Sequence, residues 1–279
     1  MAPYRQGPRT HAAPRPQGGG VVDEVIEQFA DRFAFLRELV QNAIDAETEL
    51  IEVSLEYRRG DELLVASVTD HGIGMSKEIM EDDLLVLFRS SKEDDESKIG
   101  KFGIGFASVL SVSPRVVRVK SSYEGQRHVL HLYPDLSYEL FFAGRSQSSG
   151  TTVELEIDME PESVDTFVLN AWQALSKWCR HACTEIRLQA TDAYGHAAVD
   201  ERIDAPLGFD GALVEVKHRS DDGTNIVLAL LPGSSSYIAF FNSGLLLHES
   251  EENPLGPIAC KIQDSKLGHT LSRDNVRRD

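Results

Sequence analysis

Glu38, Asn42 and Asp45 stand at positions i, i+4 and i+7 of the stretch LRELVQNAIDAETE, so a helix there carries them as one polar stripe. Two carboxylates and an amide in a row can orient a water, accept a proton or offer a hard oxygen to a cation. The same stripe is also what an amphipathic helix shows to solvent, since Phe29, Phe33, Leu36, Val40 and Ile44 recur at helical spacing on the opposite side. Two glycine motifs add a second chemistry. DHGIGM, residues 70–75, sets a carboxylate at the end of an apolar strand pattern and follows it with Gly72 and Gly74, whose backbone can approach a flat ligand closely. GKFGIGFAS, residues 100–108, places Gly100, Gly103 and Gly105 where a helix opens, and N–H groups at a helix N-terminus attract anions. Neither motif is a P-loop, and the second reverses the glycine order of the dinucleotide fingerprint.

The elements that must position these residues can be read from periodicity. A helix is expected over about 21–46. A strictly alternating, half-buried strand follows at 51–57, and a more continuously apolar, central strand at 62–69. Residues 76–99 change character to a short helix and a long charged loop. Strands are expected at 115–120, 128–133, 138–142 and 151–157. A helix over 162–183 carries Val164, Phe167, Val168, Ala171, Leu175, Trp178 and Cys179 on one face, and a strand at 184–188 follows it. Residues 191–210 are polar and turn-rich and read as a linker. A smaller second domain is expected over 211–279, with strands at 212–218, 224–231 and 236–241. Residues 1–20, with four prolines and four glycines, read as a disordered tail. No internal repeat is evident.

Composition narrows the classes. The 279 residues suffice for about two domains, and 41% are hydrophobic with no apolar run of membrane-spanning length. The N-terminus shows no charged-then-apolar leader, and three cysteines suggest no disulfide framework, so a cytoplasmic protein is expected. With 28 basic and 45 acidic residues the net charge is −17, which repels phosphate backbones and argues against nucleic acid as a partner. Cys179, His181 and Cys183 are read as packing residues rather than a metal cluster, because Cys179 falls on the apolar helix face and no second ligand pair exists.

The four blocks ELVQNAIDA, DHGIGM, GKFGIGF and SGTTVEL, in this order and with a long loop between the second and third, closely resemble the GHKL ATPase superfamily of gyrase, the ninety-kilodalton heat-shock chaperones, histidine kinases and MutL. The resemblance runs over about residues 33–188, and the chaperone branch matches best in FLRELVQNAIDA, IGKFGIGF and SSGTTVELEI. It implies an α+β Bergerat sandwich over 21–190, a mixed, mostly antiparallel sheet with helices on one face and ATP held under a lid at 76–106.

By that resemblance Glu38 is the general base that orients or activates the attacking water, and Asn42 coordinates Mg²⁺. Asp70 accepts the adenine amino hydrogen bond. Gly72, Gly74, Met75 and Thr151 line the base, with Asp45 and Ala46 at the border of the pocket. Gly100, Phe102, Gly103, Ile104, Gly105 and Phe106 wrap the phosphates, with Lys92 or Lys101 reaching toward them. In the second domain, SKLGHTLSRDNV resembles the segment of the chaperones that carries an arginine to the γ-phosphate, which makes Arg273 a charge-stabilising finger.

The resemblance implies an Mg²⁺-dependent ATPase whose lid closure drives conformational change and homodimerisation on ATP binding, with an unidentified protein client. A kinase lacks support, since only His11 precedes the asparagine helix. A MutL- or gyrase-like DNA-transaction ATPase would need a lysine from the second domain, for which Lys261 and Lys266 are the nearby residues. A non-hydrolysing ATP sensor would not need Glu38. The remainder of a chaperone middle domain is not seen after Arg273, so the chain reads as a fragment or a reduced relative.

Overall fold

The computed structural model describes residues 10–12, 31–85, 104–233, 236–252 and 256–267. They divide into two compact units, residues 1–172 with 186–202, and residues 173–185 with 203–279.

The first unit is α+β. Its strands are β1 (Thr10–Ala12), β2 (Leu50–Arg58), β3 (Leu63–Asp70), β4 (Val116–Tyr123), β5 (Gln126–Leu132), β6 (Tyr138–Arg145), β7 (Gly150–Asp158), β8 (Glu185–Thr191) and β9 (Ala197–Arg202). They form one nine-stranded sheet in the order β1-β6-β5-β4-β7-β3-β2-β8-β9. β3 lies between β2 and β7 and is buried almost throughout, as its continuous apolar run LLVASV requires, whereas β2 alternates buried and open positions as its sequence does. The pairing of β3 with β7 is antiparallel and sets Asp70 opposite Thr151; β7 with β4 sets Thr151 opposite Ser121.

Helix α1 (Ala34–Asp45) buries Phe35, Leu36, Leu39, Val40 and Ala43, a stripe that shares Leu36 and Val40 with the one expected from spacing, whereas Ile44 is only half-buried. Asp31 anchors its start, accepting the Phe33 N–H at 2.7 Å, and the Phe33 ring packs on Phe167 at 4.9 Å between centroids. Residues 21–30 of the expected helix lie outside the described residues. A short helix α2 (Lys77–Ile79), capped by Ser76 Oγ, continues as a π-turn over Met80–Leu84. Helix α3 (Ile104–Ala107) runs into a 3₁₀ turn, Ser108–Val112, and α4 is Pro161–Trp178.

Besides the strands at 245–250 and 259–263, which the sequence reading lacks, three segments differ from it. α4 ends at Trp178 rather than near residue 183. Beyond it the Arg180 carbonyl accepts the Ala205 N–H at 2.6 Å, so a tertiary hydrogen bond takes the place of a further helical turn. The segment read as a linker contains β9, which pairs with β8 across a turn where Asp192 Oδ1 accepts the N–H groups of Tyr194 and His196. β9 is nearly all exposed, so it lacks the alternation that would have announced it. Within the segment read as a tail, β1 pairs with β6.

The second unit holds β10 (Val214–Arg219), β11 (Asn225–Leu230), β12 (Tyr237–Asn242), β13 (Leu245–Ser250) and β14 (Ala259–Gln263), ordered β10-β11-β14-β12-β13. Only the β12–β14 pair is parallel among the described pairs. Its core gathers Ala239, Phe241 and Leu246, with Trp178, Leu207 and Tyr237 packed against them.

Candidate functional site

The loop after β3 is where three elements of the first unit meet. Asp70 is buried, and its Oδ1 accepts two main-chain N–H groups, from Gly72 at 2.9 Å and Thr151 at 3.2 Å. Burial raises its carboxyl above the ordinary aspartate value, and these two hydrogen bonds oppose the rise. Oδ2 takes no hydrogen bond among the described residues. One oxygen therefore fixes the side chain and the other is left to accept.

The loop itself is clamped to α1 and β4. The Ile73 N–H donates to the Ala46 carbonyl at 3.0 Å, just past the end of α1. This approach is so close that a Cβ on Gly72 would stand 2.1 Å from the same oxygen, so no other residue fits. Gly74 has φ +75°, a left-handed conformation that glycine alone takes at little cost. The Met75 N–H donates to Ser121 Oγ at 2.7 Å, and Ser121 Oγ lies 2.9 Å from Thr151 Oγ1. On α1's side, Thr48 Oγ1 accepts the His71 N–H at 3.1 Å. Ser121 and Thr48 were not among the residues read from sequence. The signal for Ser121 was a polar residue in an apolar strand pattern, and its function depends on a strand pairing that the pattern does not disclose.

The polar stripe of α1 is split by burial. Glu38 is 5% exposed, whereas Asn42 and Asp45 are open to solvent and Asp45 accepts a hydrogen bond from Gln41 at 2.8 Å. α3 closes on Glu38: a Cβ on Gly105 would lie 2.1 Å from Glu38 Oε2. Phe106 beside it is buried, and the Ser108 hydroxyl donates to the Gly105 carbonyl. We expect Gly105→Ala to displace either the carboxylate or α3, costing about 1–3 kcal/mol in thermal unfolding through overpacking. An unchanged melting midpoint would contradict that contact.

The structure thus brings Asp70, Gly72, Gly74, Met75, Ala46 and Thr151 together, and separately sets Gly105 against Glu38. Ile104 lies in α3. Lys92, Gly100, Lys101, Phe102, Gly103 and Arg273, with most of the expected lid, lie outside the described residues.

Residues 33–139, which span the helix, the glycine loop and α3, match the family model described as Histidine kinase-, DNA gyrase B-, and HSP90-like ATPase. This part of the chain is similar to GHKL ATPase domains. Three curated relatives of the chain carry the description Chaperone protein HtpG. That of Clostridium botulinum (strain Loch Maree / Type A3) is 36% identical over 112 residues, 32% of this chain and 18% of the relative. That of Halalkalibacterium halodurans is 30% identical over 166 residues, 50% of this chain and 26% of the relative. That of Oceanobacillus iheyensis is 28% identical over 203 residues, 62% of this chain and 32% of the relative. The chain spans about a third or less of the length of these relatives. No helix among the described residues is long and apolar enough to cross a membrane.

In the second unit both lysines considered for a DNA-transaction ATPase are engaged within that unit. Lys266 pairs with Asp222 at 3.2 Å. Lys261 donates to His181 Nε2 at 2.9 Å and to the Gly208 carbonyl at 2.7 Å, and lies over the Phe209 ring. His181 then carries its proton on Nδ1, toward the Ala205 carbonyl at 3.1 Å. Desolvation is the main cause of both shifts here, lowering Lys261 to about 8 and His181 to about 4. Each folded value is below the ordinary one, so the unfolded chain binds the extra proton, and stability rises with pH between about 8 and 10.5 for Lys261. For His181 it falls as pH drops from 6.5 toward about 4. Comparing melting midpoints of the wild type and Lys261→Met from pH 7.5 to 9.5 should therefore show the wild type gaining on the variant as pH rises. A constant difference would argue against a buried, charged Lys261.

Proposed function

We propose that the GHKL-like domain binds ATP and, with Mg²⁺, hydrolyses it, and that closure of the lid over the nucleotide drives a conformational change. The observation that carries this reading is Asp70: two main-chain N–H groups hold Oδ1, and Oδ2 remains to accept the adenine amino group. Gly72, Gly74, Met75 and Thr151 then line the base, with Ala46 and Asp45 at its border. Specificity follows from polarity, because a base presenting an acceptor to Oδ2 would leave both groups buried and unpaired.

Asn42 is the residue that would hold the metal. A single exposed amide oxygen on a rigid helix fits Mg²⁺, which keeps waters and phosphate oxygens as its other ligands. Bound there, the ion would neutralise charge on the phosphates. Glu38, one turn before Asn42 and shielded from bulk solvent, would orient a water and take its proton. Gly100, Lys101, Phe102, Gly103, Ile104, Gly105 and Phe106 wrap the phosphates, with Lys92 as a further contact, and Arg273 stabilises charge on the γ-phosphate. Homodimerisation on ATP binding belongs to the same proposal, as does a chaperone-type role toward a protein client, which the description of the HtpG relatives supports.

Calorimetric titration of the full chain with ATP and Mg²⁺, alongside phosphate release by the wild type and Arg273→Ala, tests it. Saturable binding with turnover that falls in Arg273→Ala at preserved affinity is expected. No binding at millimolar ATP overturns the proposal. The dimer is tested by mass measurement with and without a non-hydrolysable analogue.

A further inference from the structure

β10 is the outermost strand of the second unit's sheet, and all six of its residues are exposed. It pairs with β11 from Arg219 opposite Asn225 to Val214 opposite Leu230, and beyond that ladder the Ser220 N–H donates to the Thr224 carbonyl at 2.9 Å. Hydrogen-bonded pairs alternate along an antiparallel ladder. Counting back from Ser220, the main-chain groups of His218, Val216 and Val214 therefore serve β11, and those of Arg219, Lys217 and Glu215 face the open edge.

The side chains divide the other way. Glu215 and Lys217 lie over the segment before β10, Glu215 accepting the Phe209 N–H at 2.7 Å and Lys217 donating to the Leu207 carbonyl at 2.8 Å. On the opposite face Val214 and Val216 are 54% and 59% exposed. Leu230, across from Val214, is 47% exposed, and the neighbouring Leu213 is 70% exposed. An unpaired edge beside a bare apolar strip is a template for another strand.

We propose that β10 pairs antiparallel with β10 of a second copy of this chain, about a two-fold axis at Val216. This register follows from the strand's own sequence, VEVKHR. With the axis at Val216, each Glu215 stands opposite Lys217 of the other copy, and each Val214 opposite His218. An axis one residue later sets two Lys217 ammonium groups face to face, and one residue earlier sets two Glu215 carboxylates together, both repulsive. The Val216 axis also makes Glu215 and Lys217 the pair that exchanges main-chain hydrogen bonds, the groups that face the open edge. The contact is isologous and closes at two copies. It joins two five-stranded sheets into one and covers both open edges. Nothing in it involves nucleotide, so it is distinct from dimerisation driven by ATP.

Sedimentation velocity of the full chain without nucleotide, over a concentration series, should show a monomer–dimer equilibrium. Val216→Lys sets like charges on the axis and should raise the dimer dissociation constant at least ~10-fold, with an unchanged melting midpoint at dilutions where both proteins are monomeric, because the side chain is then exposed. Glu215→Lys or Lys217→Glu alone should weaken the dimer, and the double exchange should restore it. In a Cys183→Ser background, which removes the exposed cysteine, oxidation should cross-link Val216→Cys faster than Val214→Cys, since only a residue on the axis meets itself. A monomer at every concentration, a dimer unaffected by Val216→Lys, or faster cross-linking at Val214→Cys would overturn the proposal. ATP binding by the Val216→Lys monomer keeps this outcome separate from the fate of the proposed ATPase.

Discussion

Asp70→Asn is expected to reduce ATP affinity by on the order of 100-fold while leaving the fold intact, the loss of one hydrogen bond to a charged group of ~1.5–3 kcal/mol. The substitution is nearly isosteric. An asparagine Oδ1 can still accept from Gly72 and Thr151, so the anchoring of the glycine loop survives. The atom at the Oδ2 position changes from an acceptor to an NH₂ donor, which in the proposed site would face the adenine amino group. Because burial disfavours the Asp70 charge, the variant also loses a desolvation cost, and its melting midpoint without ligand should match or exceed the wild type's at neutral pH. The wild-type carboxyl titrates above the ordinary 3.8, and only its charged form offers both oxygens as acceptors. ATP affinity should therefore decline on acidification at a higher pH than a solvent-exposed aspartate would give, and in Asp70→Asn that dependence should vanish. Calorimetry across pH on both proteins reads this. Equal affinities at neutral pH would remove Asp70 from the site.

Glu38→Gln is expected to lower steady-state turnover by ~10²–10⁴-fold, the range for losing a positioned general base, with ATP affinity preserved. Glutamine keeps the size of the side chain against Gly105, where a Cβ would already stand 2.1 Å from Oε2, so packing is retained and basicity alone is removed. Single-turnover phosphate release isolates the chemical step from product release. The contrast between the two variants is the sharper test: Asp70→Asn should fail in binding and Glu38→Gln in turnover. A Glu38→Gln protein that turns over at the wild-type rate would remove Glu38 from the chemistry, whereas saturable binding without turnover in the wild type would favour a sensor that reads nucleotide without consuming it.

Much of the first unit was legible in the chain because its determinants are local. The alternation of IEVSLEY and the apolar run LLVASV become β2 and β3 with nearly the expected limits, since period-two burial is written residue by residue. Asp70, Gly72, Gly74 and Met75 are contiguous, and Gly72 is required by one backbone oxygen that any chain turning there must approach. Where the signal was non-local, reading failed. β9 has no buried face to pattern it, and α4 stops early because Ala205 captures the Arg180 carbonyl, a bond between residues 25 positions apart in sequence.

The sequence by itself determined which residues could do chemistry here: a carboxylate and an amide one turn apart on a helix, a carboxylate before a Gly-x-Gly, and a glycine at the opening of the next helix. Only the tertiary structure decided how their surroundings differ. α3 presses on Glu38 while Asn42, one turn further, stays in solvent, so one stripe becomes a shielded carboxylate and an accessible amide oxygen. The β3–β7–β4 pairing recruits Ser121 through Thr151, and the strand order of the second unit leaves VEVKHR at an edge. Periodicity records which face of an element is apolar. What packs against that face, and whether an edge finds a partner, depends on residues far away in the chain.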